Sequence, residues 1–147
     1  MKLSPAVITD IGQLCELLNI LFSQETEFKA DIAAQQQGLE MIINNPATGH
    51  ILVARQEGEL IAMVNLLYSV STALGARVGT IEDMIVSPSA RGGGVGSKLL
   101  SYALKFAKDK GCKRLTLLTD NDNFDAQRFY QRHGFSQSSM IPLRVSL

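Results

Sequence analysis

The chain has 147 residues, room for one domain built on a single core. An apolar fraction of 46% with 19% charged residues is globular in composition, and 14 basic against 14 acidic side chains leave no net field to draw a polyanion, which argues against a nucleic-acid partner. Apolar runs stop short of the roughly 18 residues a membrane span needs, and the opening MKLSPAVITD lacks a signal peptide's apolar stretch, so the chain reads as cytoplasmic with no membrane partner.

In chain order, a short β-like segment (Ala6 to Ile8) leads to Thr9 or Asp10, either of which can cap a helix carrying Ile11, Leu14, Leu17, Leu18, Leu21 and Phe22 at helical spacing. The two cysteines, Cys15 and Cys112, stand alone without CxxC or Cys/His spacing, so neither a disulfide framework nor a metal site is expected. A second helix is predicted from about Asp31 to Ile43, stopped by Asn44, Asn45 and Pro46. Ile51 to Arg55 and Leu60 to Leu67 then read as strands joined in a hairpin at Glu57-Gly58. Ser69 to Ala76 reads as a loop, long enough to serve as a partial lid, and a third strand runs from Val78 to Val86. From Val95 to Lys110 the apolar residues Val95, Leu99, Leu100, Ala103, Phe106 and Ala107 share one helical face, and Gly111 is a natural end to that helix. A β-run (Arg114 to Thr119), a short helix (about Asp125 to Arg132, ended by Gly134) and weaker β-like segments near Phe135 and from Ile141 to Val145 complete the chain. This order of elements predicts a mixed α/β sheet covered on both faces.

The most informative stretch joins the third strand to the long helix: Ser87-Pro88-Ser89-Ala90-Arg91-Gly92-Gly93-Gly94-Val95-Gly96-Ser97. Glycines strip the start of the helix of side chains, and its N–H groups lack internal partners and carry partial positive charge, so a phosphate can sit on them. Arg91 before the helix and Lys98 within it add positive charge, and no acidic residue neutralises that end. A flexible glycine turn is the plainer alternative. G-x-G-x-x-G would need glycine at position 97, where Ser97 stands, and Walker A would need glycine directly before Lys-Ser or Lys-Thr; both are absent.

What remains, Arg91-x-x-Gly94-x-Gly96 between an apolar strand and an amphipathic helix, resembles the acyl-CoA signature of the Gcn5-related N-acetyltransferase (GNAT) superfamily. The resemblance runs from Glu82 to Phe135 and takes in Asn123, Ala126, Phe129, Tyr130 and the closing Gly134-Phe135. The central motif is closest to the diamine-acetyltransferase-like members. It implies a single N-acetyltransferase domain over residues 1–147. The implied fold is a mixed, mostly antiparallel sheet of six to seven strands, with a splayed central strand pair and helices on both faces. It also implies acetyl-CoA as co-substrate, without a metal. Pantetheine would lie along the backbone of Met84, Ile85 and Val86, in the manner of an added strand. The pyrophosphate would rest on Arg91, Gly92, Gly93, Gly94, Val95, Gly96 and Ser97. Asn123 would bond the pantetheine arm, although asparagine is equally at home as a helix cap. Homodimers are common in the superfamily, so the resemblance leaves a homodimer open.

Amine acetylation needs a base, because an alkylamine with a pKa of about 10.4 is almost wholly protonated at neutral pH. Glu82 and Asp83 interrupt the apolar run Ile81 to Val86; adjacent strand residues point to opposite faces, so one of them faces the cleft unless a bulge intervenes. The resemblance favours Glu82 as base, acting directly or through water, against a structural ion pair. Tyr130 matches the family's general acid, against a plain core role beside Phe129. His133, at the end of a short helix, fits dipole complementation better than proton transfer.

Three readings follow: a catalyst acetylating a primary amine, a non-catalytic acyl-CoA-binding module of the same fold, and a nucleotide-binding regulator. The presence of both Glu82 and Tyr130 favours the catalyst. A small-molecule amine is the expected acceptor, with a protein or peptide as the alternative. Glu25, Glu27 or Asp31, with Glu82 or Asp83, would attract such a cation.

Overall fold

The computed structural model of the chain describes residues 1–24 and 31–147. The first strand, β1 (Lys2–Pro5), pairs antiparallel with the later β2, from Lys2 opposite Arg55 to Pro5 opposite Leu52. It therefore lies just before the expected Ala6 to Ile8, which instead leads into a single tight turn over Ile8–Asp10. Helix α1 (Ile11–Gln24) follows, then α2 (Ile32–Ile43), whose first turn is capped by the Asp31 carboxylate accepting from Ala34 N–H at 3.1 Å. Asp10 is not a simple cap: it is buried, accepts from Val7 N–H, and takes two hydrogen bonds from Arg55 at 3.0 and 2.9 Å, fixing the start of α1 to the sheet.

Strands β2 (Gly49–Gln56) and β3 (Glu59–Ser71) form the expected hairpin, with Glu57 and Gly58 both in the left-handed region (φ 52° and 82°). Two such residues give the turn that matches the twist of the flanking strands. β4 (Ala76–Val86) returns antiparallel to β3, α3 (Val95–Asp109) crosses back, β5 (Leu115–Leu117) pairs parallel with β4, and α4 (Phe124–Arg132) is the last helix. Among the described residues no helix is long and apolar enough to cross a membrane.

The sheet has five strands among the described residues, in the order β1-β2-β3-β4-β5, rather than six or seven. The difference lies at the C-terminal end, where residues 135–147 form no strand. The expected loop at Ser69 to Ala76 is also corrected: Ser69, Val70 and Ser71 pair with Val78, Arg77 and Ala76, leaving a four-residue turn in which Ser71 Oγ accepts from Leu74 N–H. It is a hairpin end, with no length left over for a lid.

Both faces of the sheet are buried, as expected for a sheet between helical layers. On one face Ile51, Val53, Met63 and Ile85 pack with Leu14, Leu17 and Leu18 of α1 and Leu39 of α2; on the other Leu52, Ala54, Val64, Leu66 and Ile81 pack with Leu99, Ala103 and Ala107 of α3. Cutting any of these leucines back to alanine would cost about 2–5 kcal/mol. Behind α3 sits an aromatic group: the Tyr68 hydroxyl lies 2.7 Å from His50 Nδ1, the His50 ring stands edge-on to Phe106, and the Arg77 guanidinium lies 4.5 Å over the Tyr68 ring.

Candidate active site

The central strand pair splays. β5 accompanies β4 only from Gly79 opposite Leu115 to Ile81 opposite Leu117, whereas β3 stays paired with β4 as far as Val86 opposite Ala62. The stretch Glu82 to Val86, which contains Met84, Ile85 and Val86, therefore has one edge without a strand partner. A bulge begins where the splay does. Asn65 pairs with Glu82 and Met63 with Ile85, so Val64 is opposed by both Asp83 and Met84, and Asp83 adopts φ 53°. A non-glycine residue there costs about 1–2 kcal/mol.

The bulge decides where the two carboxylates go. The register puts Glu82 on the α1/α2 face together with Asn65 and Ile85, while Met84 and Val86 pack toward α3. Asp83 reaches that same α1/α2 face, because its carboxylate accepts from Asn65 Nδ2 at 2.7 Å. Strict alternation would have sent the two to opposite sides. Asn65 is 4% exposed, and its Oδ1 has no hydrogen-bond partner. Nothing in the sequence marks Asn65 beyond one amide inside an apolar run. Glu82 itself is exposed, whereas Asp83 is half-buried.

Beyond Val86 a turn over Pro88–Ala90 delivers the glycine loop. Gly92 and Gly94 have φ of 84° and 80°, values that glycine adopts without strain, and Gly94 is the residue before α3. Lys98 N–H to Gly94 O is the first bond of the helix, so among the described residues the N–H groups from Gly92 to Ser97 are left without backbone acceptors. The first turn holds no acidic residue, and no side chain caps it. These N–H groups form the seat the sequence foretold, open to an anion and unblocked by side chains: a Cβ at Gly92 or Gly94 would meet no atom within 4 Å. Arg91 folds back, Nε donating to Val86 O at 3.0 Å, and so braces the strand end beside the seat.

Helix α4 is brought to the same place through Gly96. A Cβ there would lie 3.5 Å from the Val86 side chain and 3.6 Å from the Phe129 ring, so β4, α3 and α4 meet at a position where any larger residue is felt. Next to Phe129, Tyr130 is half-buried between the Phe129 and Phe135 rings (centroids 5.2 and 5.7 Å), and burial pushes its phenol above the ordinary tyrosine range. Its hydroxyl makes no hydrogen bond to a protein group among the described residues, leaving the proton available to a ligand. Asn123 caps α4, its Oδ1 accepting from Ala126 N–H at 3.1 Å, which leaves only its amide N–H groups for anything else. The His133 ring nitrogen lies 2.9 Å from Phe129 O, a helix-end role as the sequence suggested. Asp31 is occupied as a cap, and Glu25 and Glu27 lie outside the described residues.

An anion seat, a strand edge without a partner, two carboxylates at a bulge and a neutral phenol thus converge on one end of the splayed pair. Comparison with known proteins agrees. Residues 13–135 match the Acetyltransferase (GNAT) family. An uncharacterized N-acetyltransferase YhfO of Bacillus subtilis is 34% identical over 81% of this chain and 81% of its own. The aminoalkylphosphonate N-acetyltransferase of Salmonella typhimurium is 30% identical over 85% of this chain and 75% of its own. Among solved structures, a transcriptional regulator from Bacillus halodurans superimposes with a TM-score of 0.85 at 25% identity, covering 99% of both chains.

Proposed function

The chain belongs to the GNAT family of acetyltransferases, and from that premise we propose that it carries acetyl from acetyl-CoA to the primary amine of a small molecule, with Glu82 as base and Tyr130 as acid. The observation that carries this reading is the row of unbonded N–H groups from Gly92 to Ser97, beside a strand whose free edge can take the pantetheine arm. The group fits the residues present, since the cradle carries no side chain that would fill it.

Acetyl-CoA supplies an activated acyl thioester. Glu82, exposed on the α1/α2 face, removes a proton from the acceptor ammonium, directly or through water. The freed nitrogen then forms a C–N bond at the thioester carbonyl and the C–S bond breaks. The Tyr130 phenol, held neutral by burial, gives its proton to the departing sulfur and is reprotonated from the acetylated nitrogen. Asn65 holds Asp83 beside Glu82, which keeps the acceptor side of the bulge negative and attractive to an ammonium.

Two things support a small acceptor: a relative named for an aminoalkylphosphonate, and the tight turn that replaces the expected lid, leaving no long insertion to grip a polypeptide. The test is free-thiol release from acetyl-CoA over a panel of diamines, amino acids, aminoalkylphosphonates and peptides. Saturable release with a small amine is expected. Peptides accepted to the exclusion of small amines would move the acceptor to proteins, and tight acetyl-CoA binding without release on any amine would make the chain a binding module.

A further inference from the structure

The C-terminal segment follows α4 in an extended path, and its apolar residues face water: Ile141 is 78% exposed, Leu143 90%, Val145 78% and Leu147 117%. They alternate with Pro142, Arg144 and Ser146, the period of a strand with one apolar face. Among the described residues no backbone group from 136 to 147 bonds to another backbone group; Met140 N–H to Ser138 Oγ is the one local bond. A strand-patterned apolar row left in water, with its backbone unpaired, lacks the partner its pattern calls for.

The sheet lacks a partner at the matching place. β5 is the last strand, and Gly79 N–H donates to Arg114 O, so the even-numbered residues of β5 bond to β4 while Leu115 and Leu117 turn their N–H and C=O groups to an open edge. Leu118, just beyond, is 62% exposed. In the tail, Pro142 removes a donor from the edge shared with residues 144 and 146, which leaves 141, 143, 145 and 147 as the edge able to pair in full.

From these two unpartnered features we propose that two copies of this chain exchange tails, each adding residues 141–147 as a sixth strand on the open edge of the other's β5. The exchange satisfies both edges at once through a two-fold axis, the self-complementary closure usual for dimers. The area agrees: the single chain exposes 9448 Å², whereas a compact monomer of 16.0 kDa exposes about 7,400 Å². The excess, roughly 2,000 Å² per copy, is what permanent dimers bury. None of this rests on the acetyl-transfer reading.

The test compares the full chain with a Leu143→Asp, Val145→Asp variant by sedimentation velocity and by amide exchange. Both side chains are exposed in the single chain, so the variant keeps the monomer's fold, as circular dichroism would check. The full chain is expected at twice the chain mass, with amides in 141–147 exchanging about tenfold or more slowly than in the variant, which sediments at one chain mass. A full chain of monomer mass overturns the proposal whether its tail exchanges fast or is protected by folding onto its own edge. A dimer that survives the double substitution also overturns it, since its interface lies elsewhere.

Discussion

Asn65 gives one amide hydrogen to Asp83 and keeps its own oxygen buried without a partner, so Asp83 is tethered while Glu82, on the same face, stays exposed to water. This division assigns proton removal to Glu82. Glu82→Gln is expected to lower turnover most near pH 7, where free amine is scarcest, and much less at about pH 9–10, close to an amine pKa of about 10.4. A rate profile across that range checks it, and an equal loss throughout would return Glu82 to a structural role. Tyr130→Phe is expected to leave acetyl-CoA affinity nearly intact while cutting turnover at least about tenfold, read by calorimetry beside steady-state rates. Wild-type turnover in that variant would make the ring a core aromatic only. Glu82 and Tyr130 were legible because charge inside an apolar run and a tyrosine at fixed spacing stand out. Asn65 was not, because its importance comes from a cross-strand neighbour 18 positions away.

The glycine loop behaves as one element, and its glycines are not equivalent. Gly94 sits at φ 80°, so Gly94→Val strains the residue that starts α3 by about 1–2 kcal/mol and turns the N–H groups of the seat. Calorimetry should show CoA binding weakened about tenfold or more. Gly93 is not at positive φ, and a Cβ there would come no nearer than 3.9 Å to Ala90 O, so Gly93→Ala is expected to bind nearly as wild type. Equal losses in the two variants would mean that bulk, not backbone direction, governs the seat. Local chemistry made this loop and the Glu57-Gly58 turn readable, since glycine and turn residues announce themselves. Ser69 to Ala76 misled for the same reason: serine, threonine and glycine read as loop, whereas the register with Ala76 to Val78 makes half of it strand. The tail from Ile141 to Val145 has the pattern of a strand, but pattern alone supplies no neighbour to pair with.

Across the whole molecule, the aromatic group behind α3 links stability to pH. Burial, then the charges of Lys110 and Arg77, lower the His50 pKa below 6.5, and burial pushes the Tyr68 phenol up to about 12, so the folded state holds both neutral at pH 7. The His50 contribution is present above about pH 6.5 and is lost as pH falls through the lowered folded value, where unfolding takes up a proton. Thermal midpoints should therefore fall from pH 7 to 5, and His50→Gln should flatten that slope; an unchanged slope would assign the loss to other groups. The bulge at Asp83 has its own bearing on the whole. Because two residues of β4 oppose the single Val64, a chain lacking Asp83 would still set Ile85 toward one layer and Val86 toward the other. The architecture is indifferent to that codon, and the strained backbone it encodes adds nothing to folding. Losing three nucleotides would thus leave a protein that folds, even more stably, without its tethered carboxylate. In such a lineage, heredity could silence the chemistry while preserving the fold.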